Sequence, residues 1–521
     1  MKRFLTTALV ASTAFGAVAI AHEPIDLDAV SRIRAEGLGN HSQVMDLLWH
    51  ITDLYGPRLT GSPQLKKAQE WARDTLTDFG LNNARLEPWG EFGRGWSYEK
   101  VAVEMTSPTY MPMTAIPEAW TPSTKGVITG EPVLLDFKSV EEAEKFDKDL
   151  TGKIVMLGGL VDVETPFDPI ATRYNDEELE DLFKAPMPGA RSRFADRIAE
   201  FRQRRAVSRA TRKILKASGA AVLLKPGQRM GAYGVFYVAS GGSRDIDADP
   251  ALPSIVVAPE HYNRVARLLK HHEPVQMSVQ MNATFYDDDL TGRNVVAEIP
   301  GTDPDLRDQV VMLGAHYDSW HGGTGATDNG SSSAVVMEVV RILKAIGVEP
   351  RRTIRVALWS GEEEGLLGSR GYVKNHFVPD RDTMETTDEY DNFAAYFNLD
   401  NGEGKIRGVY TQSNAMVRPI FESWIKPFED LGVSTVTIRN TGGTDHLAFD
   451  AVGLPGFQFI QDPMDYFTRT HHSNMDVYER VIPGDVMQSA VVMASFVYNA
   501  AMRDDKLPRK PQPEPRKKND D

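Results

Sequence analysis

The sequence predicts an α/β protein: a mixed, mostly parallel sheet sandwiched by helices, interrupted by a β-rich insert. Three observations carry this. From residue 291 onward, apolar strand-like runs alternate with helical patterns, as in parallel sheets covered on both faces. Residues 108 to about 285 instead hold short β-runs separated by turn residues. Residues 43–80 read as two helices around the turn "GPRLTGSP".

In chain order, residues 1–21 begin with Lys2 and Arg3, continue through a small apolar stretch and end on Ala19-Ile20-Ala21. That is the pattern of a cleaved signal peptide and predicts export to the periplasm or the extracellular space. The second early helix sets Leu65, Ala68, Ala72, Leu76 and Phe79 on one face, with Gly80 as its stop. In the insert, "GVITGEPVLL", "GKIVMLGG", "GAAVLLKP" and "LPSIVVAP" are the β-runs. The charged segment 176–216 reads as a solvated helix face. In the last part, "DQVVMLGAH", "RTIRVALWS" and "NFAAYFNLD" are strands, with "SSSAVVMEVVRILKAIG" and "GLLGSRGYVKNH" as helices. The proline-rich, charged end should be disordered.

A length of 521 residues suggests two or three domains. The net charge of −15 argues against a nucleic-acid partner. No other stretch approaches the ~20 apolar residues of a membrane span. The chain has no cysteine, so any metal must be held by His, Asp and Glu.

Acids and histidines fall at strand ends. His316 and Asp318 close "VVMLGAHYD", Glu362, Glu363 and Glu364 follow "IRVALWSG", and Asp400 closes "AAYFNLD". Ligands of open α/β sheets bind beyond the carboxyl ends of the strands, so three strands deliver acids to one edge. A fourth donor set is the loop "THHSNMD". A phosphate-loop reading of "GGTGATDNGSSS" fails, because no lysine is present to reach a phosphate. Carboxylates mixed with imidazole suit Zn²⁺, with Mn²⁺ or Co²⁺ as lesser options.

The ordered set "GAHYDSW…GATDNGSSSA", "WSGEEEGLLGS", "FNLD" and "HHSNMD" resembles the co-catalytic zinc exopeptidases of metallopeptidase family 28. The resemblance covers roughly residues 40–105 and 290–500. It implies a zinc-exopeptidase fold split over 22–107 and 286–502, an inserted protease-associated-like domain at 108–285, and a disordered tail at 503–521. It also implies two Zn²⁺ per subunit and a peptide or dipeptide substrate. A homodimer is compatible with it.

By position, the resemblance makes His316, Asp328, Glu363, Asp400 and His472 metal ligands, with Asp328 bridging. Glu362 becomes the general base and Asp318 the carboxylate behind the His316 ring. Relatives show a cis peptide after the bridging aspartate. His472 is preferred to His471 because Ser473 follows it directly. Asp445 and His446, in "GGTDHLAF", match a substrate-pocket segment; a structural turn is the other reading. Glu364 is expected in solvent, and His321 matches no ligand position.

The physical reasons are general. Two dications ~3.5–4 Å apart repel unless an anion lies between them. A carboxylate behind an imidazole fixes its tautomer. A Glu beside a metal-activated water can move its proton. Two alternatives stand beside the exopeptidase reading: an inactive receptor-like scaffold and a glutaminyl-cyclase-type acyl transferase. Which terminus is cleaved stays open. Glu364, Asp445 and Asp465 are candidates for an amine; Arg469 and Arg439 are candidates for a carboxylate.

Overall fold

A computed structural model describes residues 23–185, 206–227 and 234–515. The expected leader, residues 186–205 of the charged segment and the last six residues lie outside these. The main sheet has eight strands in the order Asn82–Glu91, Thr291–Ile299, Thr353–Trp359, Val310–His316, Phe393–Asn398, Gly456–Gln461, Ile406–Tyr410 and Thr435–Thr437. The four central strands run parallel. Antiparallel pairings flank them on both sides.

The central strands are apolar because both their faces are buried. Val311, Leu313 and Ala315 face one core, with the helices Ser331–Ala345 and Pro483–Met502. Met312, Ala357 and Trp359 face the opposite core, with Tyr372, Phe393 and Phe449. Alternation by two along each strand thus feeds both layers. Helix Pro63–Asp78 starts where the Ser62 side chain accepts from the Leu65 amide at 3.2 Å. It buries Leu65, Ala68, Ala72 and Leu76, while Phe79 is half-buried just past its end.

Two smaller sheets form between the first and second main-sheet strands. One has the order Ala115–Pro117, Ser254–Val257, Val222–Pro226, Ile154–Leu157, Val133–Leu135. The other is built on Gly95–Ser107 paired with Gln276–Tyr286. This pair carries the chain out of the main sheet and back, so the four-stranded sheet begins ahead of the boundary expected at 108.

The expected disorder at 503–521 is corrected for its described part. Leu507 is buried in the main core, and Arg509 donates to the Tyr390 carbonyl at 2.8 Å. One apolar side chain and a few long donors pin a segment whose composition reads as free. Among the described residues, no helix is long and apolar enough to cross a membrane.

His376 ties the helix Leu367–His376 to the edge strand. Its ring nitrogens lie 2.7 Å from Glu87 and 3.1 Å from Glu389. Burial opposes its charge, but the hydrogen bonds to Glu389 and Glu87 prevail and raise its pKa to about 9. A raised histidine contributes stability that is full below the unfolded value near ~6.5 and is lost as pH rises through the folded one. Melting temperature should therefore fall between pH 7 and 9.5, and His376→Gln should flatten that slope by roughly 2 °C; equal slopes in both proteins would contradict the assignment.

Candidate metal centre

The four central strands end side by side, and each delivers part of one site. His316 is the last residue of Val310–His316; Glu362 and Glu363 follow Trp359; Asp400 follows Asn398; His472 lies in the loop after Gln461. Asp328 comes from the turn that opens helix Ser331–Ala345, and its peptide bond to Asn329 is cis.

The five expected ligands converge. His316 Nε2 lies 3.2 Å from Asp328 Oδ1 and 3.4 Å from Asp400 Oδ1. His472 Nε2 lies 3.2 Å from Asp328 Oδ2 and 2.9 Å from Glu363 Oε2. The two oxygens of Asp328 thus face two different donor sets. The His471 ring stacks on that of His472 with its Nε2 3.9 Å from Asp328, so the pair competes for the same side of the site. Glu362 stands beside both sets, 4.0 Å from His316 Nε2.

The donors fit cations. Asp328 Oδ2 and Glu363 Oε1 are buried without a hydrogen-bond partner, which is costly unless a positive charge satisfies them. Burial pushes the Glu362 and Glu363 carboxyls well above the usual carboxylate range. His316 opposes this, while Asp400 adds to it for Glu362 and Asp328 for Glu363. Asp328 is held low in spite of burial by His316, His472 and His471.

Asp318 departs in detail from its expected place. The His316 Nδ1–H donates to the Asp318 backbone carbonyl at 3.0 Å, while the carboxylate is 3.7 Å away. A carbonyl can only accept, so the tautomer is still fixed and Nε2 is left to ligate. The strand has ended by residue 317, so the two side chains are not held in extended register. The Asp318 carboxylate instead accepts from Thr60 Oγ1 at 3.0 Å and from the Glu362 and Glu363 amides at 3.3 Å each. It orients the paired glutamates through their backbone.

Asp445 and His446 are corrected as substrate contacts. Both are fully buried and neither lines the cavity. Asp445 Oδ1 accepts from Ser369 Oγ at 2.5 Å, and the His446 ring lies against the Gln412 side chain. The neighbours Gly442, Gly443, Thr444 and Leu447 line the cavity instead. Glu364 is not in solvent: both its oxygens are buried, and burial raises its pKa to about 8. The His321 ring packs against Trp96, with Nε2 2.7 Å from the Pro117 carbonyl. Arg439 donates to the Lys184 carbonyl, and Asp465 lies 3.5 Å from Arg469; none of the three lines the cavity.

Sequence reasoning missed two supports. Arg58, in the early turn, is fully buried and donates to the carbonyls of Ile51, Tyr317, Thr324 and Gly325 at 2.7–3.0 Å. It stitches the end of the His316 strand to the Asp328 loop. Gly325, at φ +68, admits it: a Cβ there would come within 2.4 Å of Ser319 and 3.0 Å of the guanidinium. Asp476 accepts from the Thr327 amide at 2.5 Å and the Asp328 amide at 3.2 Å. Its place in "HHSNMD" was the available signal.

The cavity over these residues has a volume of about 460 Å³ and is walled by Leu366, Leu447, Tyr466, Phe467 and Arg370. Comparison with known proteins fixes the class, a metallo-exopeptidase. Residues 294–497 match the model of Peptidase family M28, which places this part of the chain in that family. Carboxypeptidase Q of Mus musculus is 26% identical over 464 residues, covering 88% of this chain and 86% of the relative. A solved structure of a peptidase M28 precursor from Shewanella amazonensis aligns with TM-score 0.65 at 23% identity, covering 93% of this chain and 98% of that one. BSAP, a zinc aminopeptidase from Bacillus subtilis, aligns with TM-score 0.55 at 18% identity, covering 89% and 95%. The two structures speak for the fold.

His472→Ala should lower the zinc content of the purified protein by one equivalent, and His471→Ala should leave it unchanged. The reverse pattern would exchange the roles of the two rings.

Proposed function

We propose that this chain is an exported di-zinc exopeptidase that releases the residue bearing the free carboxylate from short peptides or dipeptides. The observation that carries the reading is the shared Asp328 carboxylate, 3.2 Å from an imidazole nitrogen on each side. His316 and Asp400 would hold one Zn²⁺ and His472 and Glu363 the other, with Asp328 between them. When bound, the ions lower the pKa of a shared water toward 7 and polarise the scissile carbonyl.

The chain's own groups do the rest. Glu362 belongs to neither donor set and lines the cavity. Its carboxylate takes the proton of the attacking water and passes it to the departing nitrogen. Asp318 fixes the backbone amides of Glu362 and Glu363, so the base cannot drift from the site. Tyr466, Leu366 and Phe467 limit bulk water in the cavity.

Specificity for a carboxylate end has two supports. The four carboxylates lining the cavity, Asp328, Glu362, Glu363 and Asp400, are all used by metal binding or proton transfer. Arg370 is the one Lys or Arg among the described lining residues. The long alignment with carboxypeptidase Q points the same way. The complete donor set and base count against an inactive scaffold, and the bridging carboxylate counts against a one-zinc cyclase. Export rests on the sequence of residues 1–21.

Glu362→Gln should lower kcat by three orders of magnitude or more while zinc content stays intact; turnover near wild type would remove Glu362 as the base. In a panel of dipeptides, amidating the C-terminus should cost about 100-fold in kcat/KM, the loss of one charge-assisted hydrogen-bond pair of ~3 kcal/mol. Blocking the N-terminus should cost less. If N-blocking is the more damaging change, the enzyme is an aminopeptidase.

A further inference from the structure

The described part of the C-terminal segment packs on Gln412, behind the wall of the cavity. After Leu507 enters the core, the Pro508 carbonyl accepts from Asn414 Nδ2 at 2.7 Å. Lys510 Nζ donates to the Gln412 carbonyl at 2.8 Å and pairs with Asp450. Gln512 Nε2 donates to the Met384 carbonyl at 2.7 Å. This is a strap of side chains on main-chain carbonyls, with its central contact on Gln412.

Gln412 is itself a clamp. It is buried, with a left-handed backbone at φ +51. Its side-chain Oε1 accepts from the Thr441 amide at 2.7 Å, and its Nε2 donates to the Thr441 carbonyl at 2.9 Å. The primary amide thereby satisfies both main-chain groups of Thr441, as a neighbouring strand would. Its second N–H meets His446 Nε2 at 2.8 Å. Burial pushes the His446 pKa down to about 4, which keeps the ring neutral, and its Nε2 also lies 3.3 Å from the Thr441 carbonyl. Serine 413 adds a bond to Asn440 at 2.6 Å.

Thr441 immediately precedes Gly442, Gly443 and Thr444, which line the cavity. Gly443 is at φ +91, and nothing lies within 4 Å of where its Cβ would be. Two successive glycines have no side chains with which to hold their own course. Their position is set from behind, at Thr441 and His446, and both of those groups rest on Gln412.

We propose that the strap 506–515, acting through Lys510 and Gln412, positions the Gly442–Thr444 wall and so sets how tightly the enzyme grips its substrate. Gln412 and Lys510 are positioning residues: they touch neither metal ligands nor the cavity. The inference rests on the reading of this cavity as the substrate site. The clamp itself can be tested without that reading.

The test uses the full-length protein, Lys510→Met, Lys510→Arg, Gln412→Ala and a truncation of 506–521. Hydrogen exchange of amides 441–447 and steady-state kinetics on an unblocked dipeptide are read together. Lys510→Met and Gln412→Ala should speed exchange in 441–447 at least tenfold. KM should rise three- to tenfold, with kcat within twofold and zinc content unchanged. Lys510→Arg should restore both readouts. The truncation should do the same as Lys510→Met and also lower the melting temperature. Since loss of Leu507 could unfold the truncated chain, the point variants decide. Unchanged exchange at 441–447 in folded Lys510→Met and Gln412→Ala would overturn the clamp. Faster exchange with unchanged KM would overturn its role in substrate grip. If the wild type cleaves no peptide at all, the proposed function fails, and the exchange data still decide the clamp.

Discussion

Electrostatic repulsion among buried carboxylates is the constraint on which this site depends. Asp328, Glu362, Glu363 and Asp400 are brought within one small cavity, with three imidazoles among them. Taking a single unpaired carboxylate out of water costs several kcal/mol, and packing four together costs more. The site is therefore incomplete without positive charge. Asp328 is the hinge of the arrangement, because its two oxygens serve opposite sides. A cation on either side alone would leave one oxygen unsatisfied.

Holding that geometry is the work of groups behind the ligands. Arg58 fixes four carbonyls around the His316 strand end and the Asp328 loop. Asp476 holds the Asp328 amide from below, and Asp318 holds the amides of the paired glutamates. Each acts on backbone, so the side chains of the candidate ligands keep their lone pairs free for cations. Such bonds to charged groups contribute about 1.5–3 kcal/mol each, enough to maintain a loop that would otherwise relax away from its repelling neighbours. The parallel sheet supplies the coarse placement, and these buried ions supply the fine one.

Much of this was legible in the sequence, for definite reasons. The central strands are apolar throughout, and the residue types at their ends are unusual for solvent-facing turns. Hence the sequence alone puts His316, Glu362, Glu363 and Asp400 at one sheet edge. Asp445 and His446 were misplaced because their motif gives residue identity, not direction. They open the short helix His446–Asp450, whose Phe449 stacks on Tyr396, and in that setting both are buried. Glu364 was misread because nothing in "GEEEG" distinguishes a buried third carboxyl from a solvated one. The tail was misread because one leucine and several lysine and arginine bonds to carbonyls leave no periodic trace. Arg58 was invisible for the same reason: its partners are main-chain oxygens, which every residue offers.

The central claim is that one carboxylate joins two cation sites. Anomalous diffraction from crystals grown with Zn²⁺ tests it directly. Two strong peaks are expected, one on each side of the Asp328 carboxylate, the first against His316 and Asp400 and the second against His472 and Glu363. A single peak, or two that do not share Asp328, would contradict it.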